Sequence, residues 1–247
     1  MATTHVDDKA RLAEWQPRLE GKTPQEVLAW GFREFGDRIS LACSFGGITG
    51  MAILDMAVKV NHAVKVFYGD TDFLFPETHD LVQEAIRRYG ISPVAFKSRW
   101  TPEQQAREFG PQLWARDPDR CCELRKVEPT GRALSGERAW ISGLRRDQAS
   151  TRAAVQVVDW DEKYELIKLS PLAGWTSKQV KEYIAANNVP RNKLHAVGYP
   201  SIGCTHCTKP VKEGEDERAG RWKGFDKLEC GINVSGAVSA ALEEQKA

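Results

Sequence analysis

The chain has 247 residues, 41% of them hydrophobic and 28% charged, which suits one α/β domain or one domain plus a small appendage. Its 35 Lys and Arg against 34 Asp and Glu leave a formal net charge of +1, so no global basic field is available for nucleic acid or an anionic membrane, and any anion site must be local. The polar first ten residues carry no signal-peptide pattern, and no apolar run approaches the roughly 18 residues of a membrane span. A cytosolic location is therefore expected, where thiols stay reduced and six cysteines point to metal or redox chemistry.

In chain order, Thr23-Pro-Gln-Glu26 reads as a capping box with proline at the first helical position, opening a helix to about Phe35. Residues 39–44 read as a buried strand, Phe45-Gly-Gly47 as a turn and residues 48–60 as a helix. A second strand is expected over 63–68, a loop over 69–72 and a helix over 76–89. Residues 92–96 and 139–143 read as further strands, with a helix over 102–109 between them. Strands alternating with helices predict a parallel sheet with helices on both faces. Ligands then sit beyond the carboxyl ends of the strands, here the turns 44–47, 70–72 and 143–150. From about Pro190 the pattern becomes irregular, and residues 236–247, small and charged, are expected to fray.

Five of the six cysteines form a pattern: Cys121-Cys122, Cys204-x-x-Cys207 and Cys230. Two Cys pairs supply four thiolates, which suits zinc or a [4Fe–4S] cluster. Zinc knuckles use pairs spaced by about two to four residues, whereas a cubane lets adjacent thiolates reach different irons, so the adjacent pair favours the cluster. Zinc and a redox disulfide stay as alternatives. His206 reads as a loop residue and Cys43 as a small buried one. Cys230, left over near the C-terminus beside Gly231, is either inert or a nucleophile. Ser44-Phe-Gly-Gly47 follows a strand and opens a helix, a geometry whose backbone N–H groups suit a phosphate or sulfonate. Basic clusters at Arg125-Lys126, Arg145-Arg146 with Arg152, Lys209 with Lys212, and Arg218 with Arg221 lie within a few residues of these cysteines and turns.

Together with Asp70-Thr-Asp-Phe-Leu-Phe-Pro-Glu-Thr78, Cys121-Cys-Glu-Leu-Arg-Lys126, Gly143-Leu-Arg-Arg-Asp-Gln148, Gly198-Tyr-Pro-Ser-Ile-Gly-Cys-Thr-His-Cys207, Glu215-Asp-Glu-Arg-Ala-Gly-Arg-Trp222 and Glu229-Cys-Gly231, the glycine turn resembles the assimilatory adenylyl-sulfate/phosphoadenylyl-sulfate reductases, in order, over roughly residues 25–233. The resemblance implies an adenine-nucleotide α-hydrolase-like (PP-loop type) α/β fold. It divides the chain into an N-terminal extension (1–22), a sulfonucleotide-binding domain (23–197) and a C-terminal segment (198–247) carrying the Cys-x-x-Cys and the catalytic cysteine. It implies a [4Fe–4S] cluster on Cys121, Cys122, Cys204 and Cys207, with Cys230 as the nucleophile. Substrate would be held by Ser44, Phe45, Gly46, Gly47, Lys126, Arg145, Arg218 and Arg221.

The activity implied is thioredoxin- or glutaredoxin-dependent reduction of adenylyl sulfate to sulfite and AMP through an S-sulfonate on Cys230, in assimilatory sulfate reduction. A 3′-phosphoadenylyl-sulfate or dual-specificity reductase is the alternative. The sequence is compatible with a homo-oligomer. The chain has Asn233 where the family has histidine, and Ile48-Thr49 where it has acidic residues. An ATP-splitting enzyme of the same fold would show Ser-Gly-Gly-x-Asp-Ser at the first turn, which Ser44–Thr49 lacks. A zinc-stabilised nucleic-acid-binding module is the remote reading, disfavoured by the near-zero net charge.

Overall fold

The computed structural model describes residues 3–234 and 236–244. Its core is a six-stranded sheet of order β3-β2-β1-β4-β6-β5, with β1 (Ile39–Ala42), β2 (Lys65–Asp70), β3 (Val94–Lys97), β4 (Ala139–Ile141), β5 (Val158–Asp161) and β6 (Leu166–Leu169). All pairings are parallel except the β5–β6 hairpin. The mostly parallel α/β sheet expected from the alternation is present. The sequence reading missed the hairpin at its edge, because Asp159, Asp161 and Lys168 break the apolar run. Asp161 and Lys168 are nonetheless buried, an ion pair 3.5 Å apart with the lysine over the Trp140 ring.

Successive residues of a strand face opposite sides. Ile39, Leu41, Ala139, Ile141, Ile167 and Leu169 therefore join the large core. Phe67, Trp140 and Leu166 form a smaller one on the other face. The helices Pro24–Phe35, Ile48–Val60 and Ser177–Ala186 pack together with the large core, and Glu128–Leu134 covers β2 and β3 on the small-core side. Helix starts follow local chemistry. Thr23 Oγ1 accepts from Glu26 N (3.2 Å) while Glu26 returns a carboxylate to Thr23 N (2.8 Å), and Thr101 and Thr176 make the same box with Gln104 and Gln179.

The N-terminal segment holds two helices, Thr3–Ala10 and Leu12–Leu19, that the sequence reading did not assign. Trp15 of the second is fully buried in the large core, its ring 5.2 Å from Trp30 and 5.9 Å from Phe35. The C-terminal residues expected to fray form the helix Gly236–Glu244, which docks through buried Val238 beside the turn Ser150–Arg152; residues 245–247 lie outside the described ones.

Trp15→Ala leaves a large cavity and is expected to cost about 3–5 kcal/mol in urea-induced unfolding. A loss below about 1 kcal/mol would put this helix outside the cooperative unit.

Candidate active site

The carboxyl ends of β1, β2 and β4 open into one cavity of about 290 Å³. Its floor is the turn after β1. Ser44 is exposed there, and Gly47 caps the helix Ile48–Val60 with φ −107° and ψ 144°. The first helical turn leaves N–H groups without intrahelical acceptors, and the cavity reaches them at Ile48, Thr49 and Gly50. Gly46 is needed for close approach, since a Cβ there would stand 2.8 Å from the Ile202 carbonyl oxygen. Phe45, expected among the ligand-binding residues, turns its ring into the core edge-on to Tyr68 (5.5 Å), with its backbone in the left-handed region (φ 52°). It shapes the turn and does not face the cavity.

The sulfur atoms come from two segments. Cys121 and Cys122 end the short helix Pro118–Cys122, capped by Asp117 accepting from Arg120 N (2.8 Å), and continue into a π-helical turn, Glu123–Val127. Cys204 pairs with Leu74 in an isolated bridge, while Thr205 N donates to Phe73 O (2.8 Å) and Trp222 N to Cys207 O (3.1 Å). All four sulfurs line one small cavity beside the first. Among the described residues no group of three or more His, Cys, Asp or Glu side chains is gathered as a site for a single metal ion. His206 stacks flat on Trp114, ring centres 4.0 Å apart. Burial, with Cys204 and Cys207 nearby, pushes the Cys121 thiol up to about 11, and burial also raises Cys207. Cys43 is fully buried and pushed up to about 12 by burial, a packing residue.

The basic residues separate into two kinds. Arg145 is paired with Asp147 (2.8 Å) and bonded to Thr49 Oγ1; Arg218 is paired with Glu229 (3.2 Å). Burial beside Arg152 lowers Arg218 to about 10. Lys126 and Arg221, by contrast, have no carboxylate partner among the described residues, although both line the main cavity. Arg221 donates to Ser201 Oγ (3.2 Å) and lies over the Trp222 ring (4.5 Å). A Cβ at Gly203 would meet its guanidinium at 2.3 Å, so only glycine leaves it in place. Burial opposes the charge of Lys126, but Cys204, Cys230 and Cys122 outweigh it and hold the ammonium above its usual range.

Cys230 joins these groups at the cavity wall, against Cys122. With both as free thiols Cys122 donates to Cys230 and lowers it against the cost of burial, while Lys126, the Ile232 N–H and Arg221 lower it too and act equally when Cys122 is a metal ligand. The arrangement gives a thiolate facing two uncompensated cations, a setting for nucleophilic attack on an anion. Sequence reasoning passed over Glu229, which is 2% exposed and accepts from Thr151 (2.8 Å) and from Arg152 (2.8 and 2.6 Å). It also passed over Thr49, Ser201 and Gly203 as parts of the site. All except Thr49 stood within the quoted motifs, but there the cysteines and the glycine turn drew the reading.

Residues 38–210 match the phosphoadenosine phosphosulfate reductase domain. The chain belongs to this family. Relatives include the adenosine 5'-phosphosulfate reductase of Lysinibacillus sphaericus, 46% identical over 209 residues, 84% of this chain and 89% of that one. The adenosine 5'-phosphosulfate reductase 2 of Bacillus subtilis is also 46% identical, over 84% of this chain and 88% of its own. Among solved structures, the phosphoadenylyl-sulfate reductase of Candida auris in a phosphate complex superposes with a TM-score of 0.70 at 33% identity, over 85% of this chain and 98% of that one. The FMN adenylyltransferase of Candida glabrata (TM-score 0.56, 16% identity, 95% and 81% covered) shares the fold alone, which is that of the PP-loop type, as the family likeness implied.

Burial would raise the Glu229 carboxyl, but Arg152 and then Arg218 outweigh it and hold it below its ordinary 4.5. The unfolded chain therefore takes up this proton first, and the stabilisation is full above about pH 4.5 and lost as the pH falls through the lower folded-state value. Glu229→Gln is expected to cost about 3–5 kcal/mol in thermal or urea unfolding at pH 7, a gap that narrows in acid. A gap unchanged at pH 3 would contradict the ion pair.

Proposed function

We propose that the chain reduces adenosine 5'-phosphosulfate to sulfite and AMP with Cys230 as the nucleophile. The observation that carries this is that Cys230 lines one cavity with the glycine turn and with Lys126 and Arg221, two cavity cations that have no carboxylate partner among the described residues. The AMP moiety fits the strand ends, its phosphate toward the N–H groups of Ile48–Gly50. Lys126 and Arg221 meet the sulfonate oxygens, with Arg145 and Arg218 as paired supports.

The Cys230 thiolate attacks the sulfonate sulfur, forming an S–S bond as the S–O bond breaks and AMP leaves with the bridging oxygen. A dithiol reductant, thioredoxin or glutaredoxin, then attacks the Cys230 sulfur. Sulfite leaves, a mixed disulfide forms, and the second thiol resolves it, so both electrons come from the dithiol and Cys230 returns to the thiolate. Such a partner places the enzyme in a reducing, cytosolic compartment. Among the described residues no helix is long and apolar enough to cross a membrane.

The four cysteines around the small cavity fit a [4Fe–4S] cluster in donor type and in their origin from two segments, and Cys121, Cys122, Cys204 and Cys207 would hold it. Bound there, it supplies a covalent tie between the segments and negative charge beside Lys126. In this reading residues 23–197 bind the nucleotide, 198–247 bring the Cys-x-x-Cys and the nucleophile, and the extension 1–22 contributes Trp15 and Leu19 to the core. Relatives at 46% identity carry the adenosine 5'-phosphosulfate name, which favours that substrate over its 3′-phosphorylated form.

Incubated with adenylyl sulfate, the wild type is expected to carry a sulfonate on Cys230 by mass spectrometry and to release sulfite when reduced thioredoxin is added. Cys230→Ser should do neither while keeping about four irons per chain, and Cys204→Ser should lose the iron and the brown colour. Sulfite formation by Cys230→Ser, or zinc in place of iron in the wild type, would overturn the corresponding assignment. Lys126→Ala and Arg221→Ala should each lower kcat/KM about 100-fold or more, measured as AMP release.

A further inference from the structure

We propose that Glu229 is a positioning residue: its carboxylate latches the C-terminal segment so that the neighbouring Cys230 thiol is presented to the sulfonate. The inference rests on the reading of Cys230 as the nucleophile. Glu229 Oε1 accepts from Thr151 Oγ1 and Arg152 Nε, both at 2.8 Å. Its Oε2 accepts from Arg152 Nη2 (2.6 Å) and Arg218 Nη2 (3.2 Å). Every lone pair of a buried carboxylate is thus directed at a donor from the body of the fold or from the preceding loop.

The latch is referenced to the glycine turn. Arg152 Nη1 donates to Gln148 Oε1 (2.5 Å), and Gln148 Nε2 donates to Thr49 Oγ1 (3.5 Å) in the first turn of the helix Ile48–Val60. One chain of polar contacts therefore links the residue before the nucleophile to the place where the nucleotide phosphate fits. On the other side of Cys230, Lys163 donates to the Gly231 carbonyl, and Gly231 lies so close to Val127 that a Cβ would stand 2.9 Å from its side chain.

The segment just before the latch adds little apolar grip. Leu228 is 51% and Phe225 39% exposed. Ahead of Cys230 the segment is thus held by the polar contacts of Glu229, while Ile232 and Val238 pack on the two cores behind it. Arg218 also donates to the Leu228 carbonyl (2.8 Å), so the same guanidinium grips the segment at two successive residues.

The test separates the two half-reactions in the iron-loaded enzyme. Adduct formation on Cys230 is followed by rapid quench and mass spectrometry with excess adenylyl sulfate and no reductant. Sulfite release is followed separately, from the preformed adduct with reduced thioredoxin. Glu229→Gln and Arg152→Lys are expected to slow adduct formation about tenfold or more, with the dissociation constant for AMP changed less than threefold and sulfite release no slower. Glu229→Asp, which keeps the charge, should recover part of the rate. Wild-type adduct rates in both Glu229→Gln and Arg152→Lys would overturn the latch, as would a rate loss matched by an equal loss of AMP affinity or by equally slowed sulfite release. If Glu229→Gln fails to fold, Arg152→Lys alone is read, with the same two outcomes. An absence of adduct in the wild type would instead overturn the reading of Cys230 itself.

Discussion

Lys126 lines both cavities, the larger one with the glycine turn and the smaller one with the four cysteines. Thiolates held a short distance from an anionic ligand would repel it strongly in a poorly solvated site. An ammonium between them removes that conflict, and the sulfurs in turn keep the ammonium charged against the cost of burial. The surrounding structure serves to hold this lysine in place. Its neighbour Arg125, 1% exposed, donates to Gln105 (2.7 Å), to the Thr71 carbonyl (3.0 Å) and to Asp72 (2.9 Å), and packs over the Phe73 ring (4.5 Å). The loop after β2 and the segment bearing the adjacent cysteines are locked together by one buried guanidinium.

The sheet supplies the frame for this arrangement. Parallel β1, β2 and β4 deliver three turns to the same edge, where helix termini leave donors free. The C-terminal segment then crosses that edge, with Ile202 over Gly46, and folds on itself where Arg221 lies over Gly203. Gly46 permits the crossing, and Glu229 ends it in a buried ion pair. Fold and site are therefore joined by contacts between residues far apart in the chain, not by the local turn alone.

Much of this was legible before the structure. The capping box at Thr23, the strand–turn–helix at Ile39–Val60 and the cysteine pattern are local or compositional signals, and the resemblance placed the basic residues near the cavity. What escaped was of two kinds. Strands β5 and β6 carry buried charges that cancel one another only after pairing across the hairpin, so their pattern looks polar along the chain. The Arg152–Glu229 pair spans 77 residues, and nothing local distinguishes a carboxylate that will be buried against arginine from one left in water. The helix Ser177–Ala186 did carry a readable signal, the Thr176–Gln179 box, which went unused. Phe45 was read with its neighbours Ser44, Gly46 and Gly47, which line the cavity; its own ring is taken by the core.

The π-helical turn Glu123–Val127 follows directly from the cysteine pair. Its wider coil carries one residue more than an α-helical turn spanning the same rise. Deleting a residue between Cys122 and Lys126 would let the coil close to an ordinary α-helical turn and change the angle between the cysteine pair and the ammonium around the axis. Cysteine pair and ammonium are thus set to a common phase, and this stretch of the chain is expected to tolerate changes of side chain far better than changes of length.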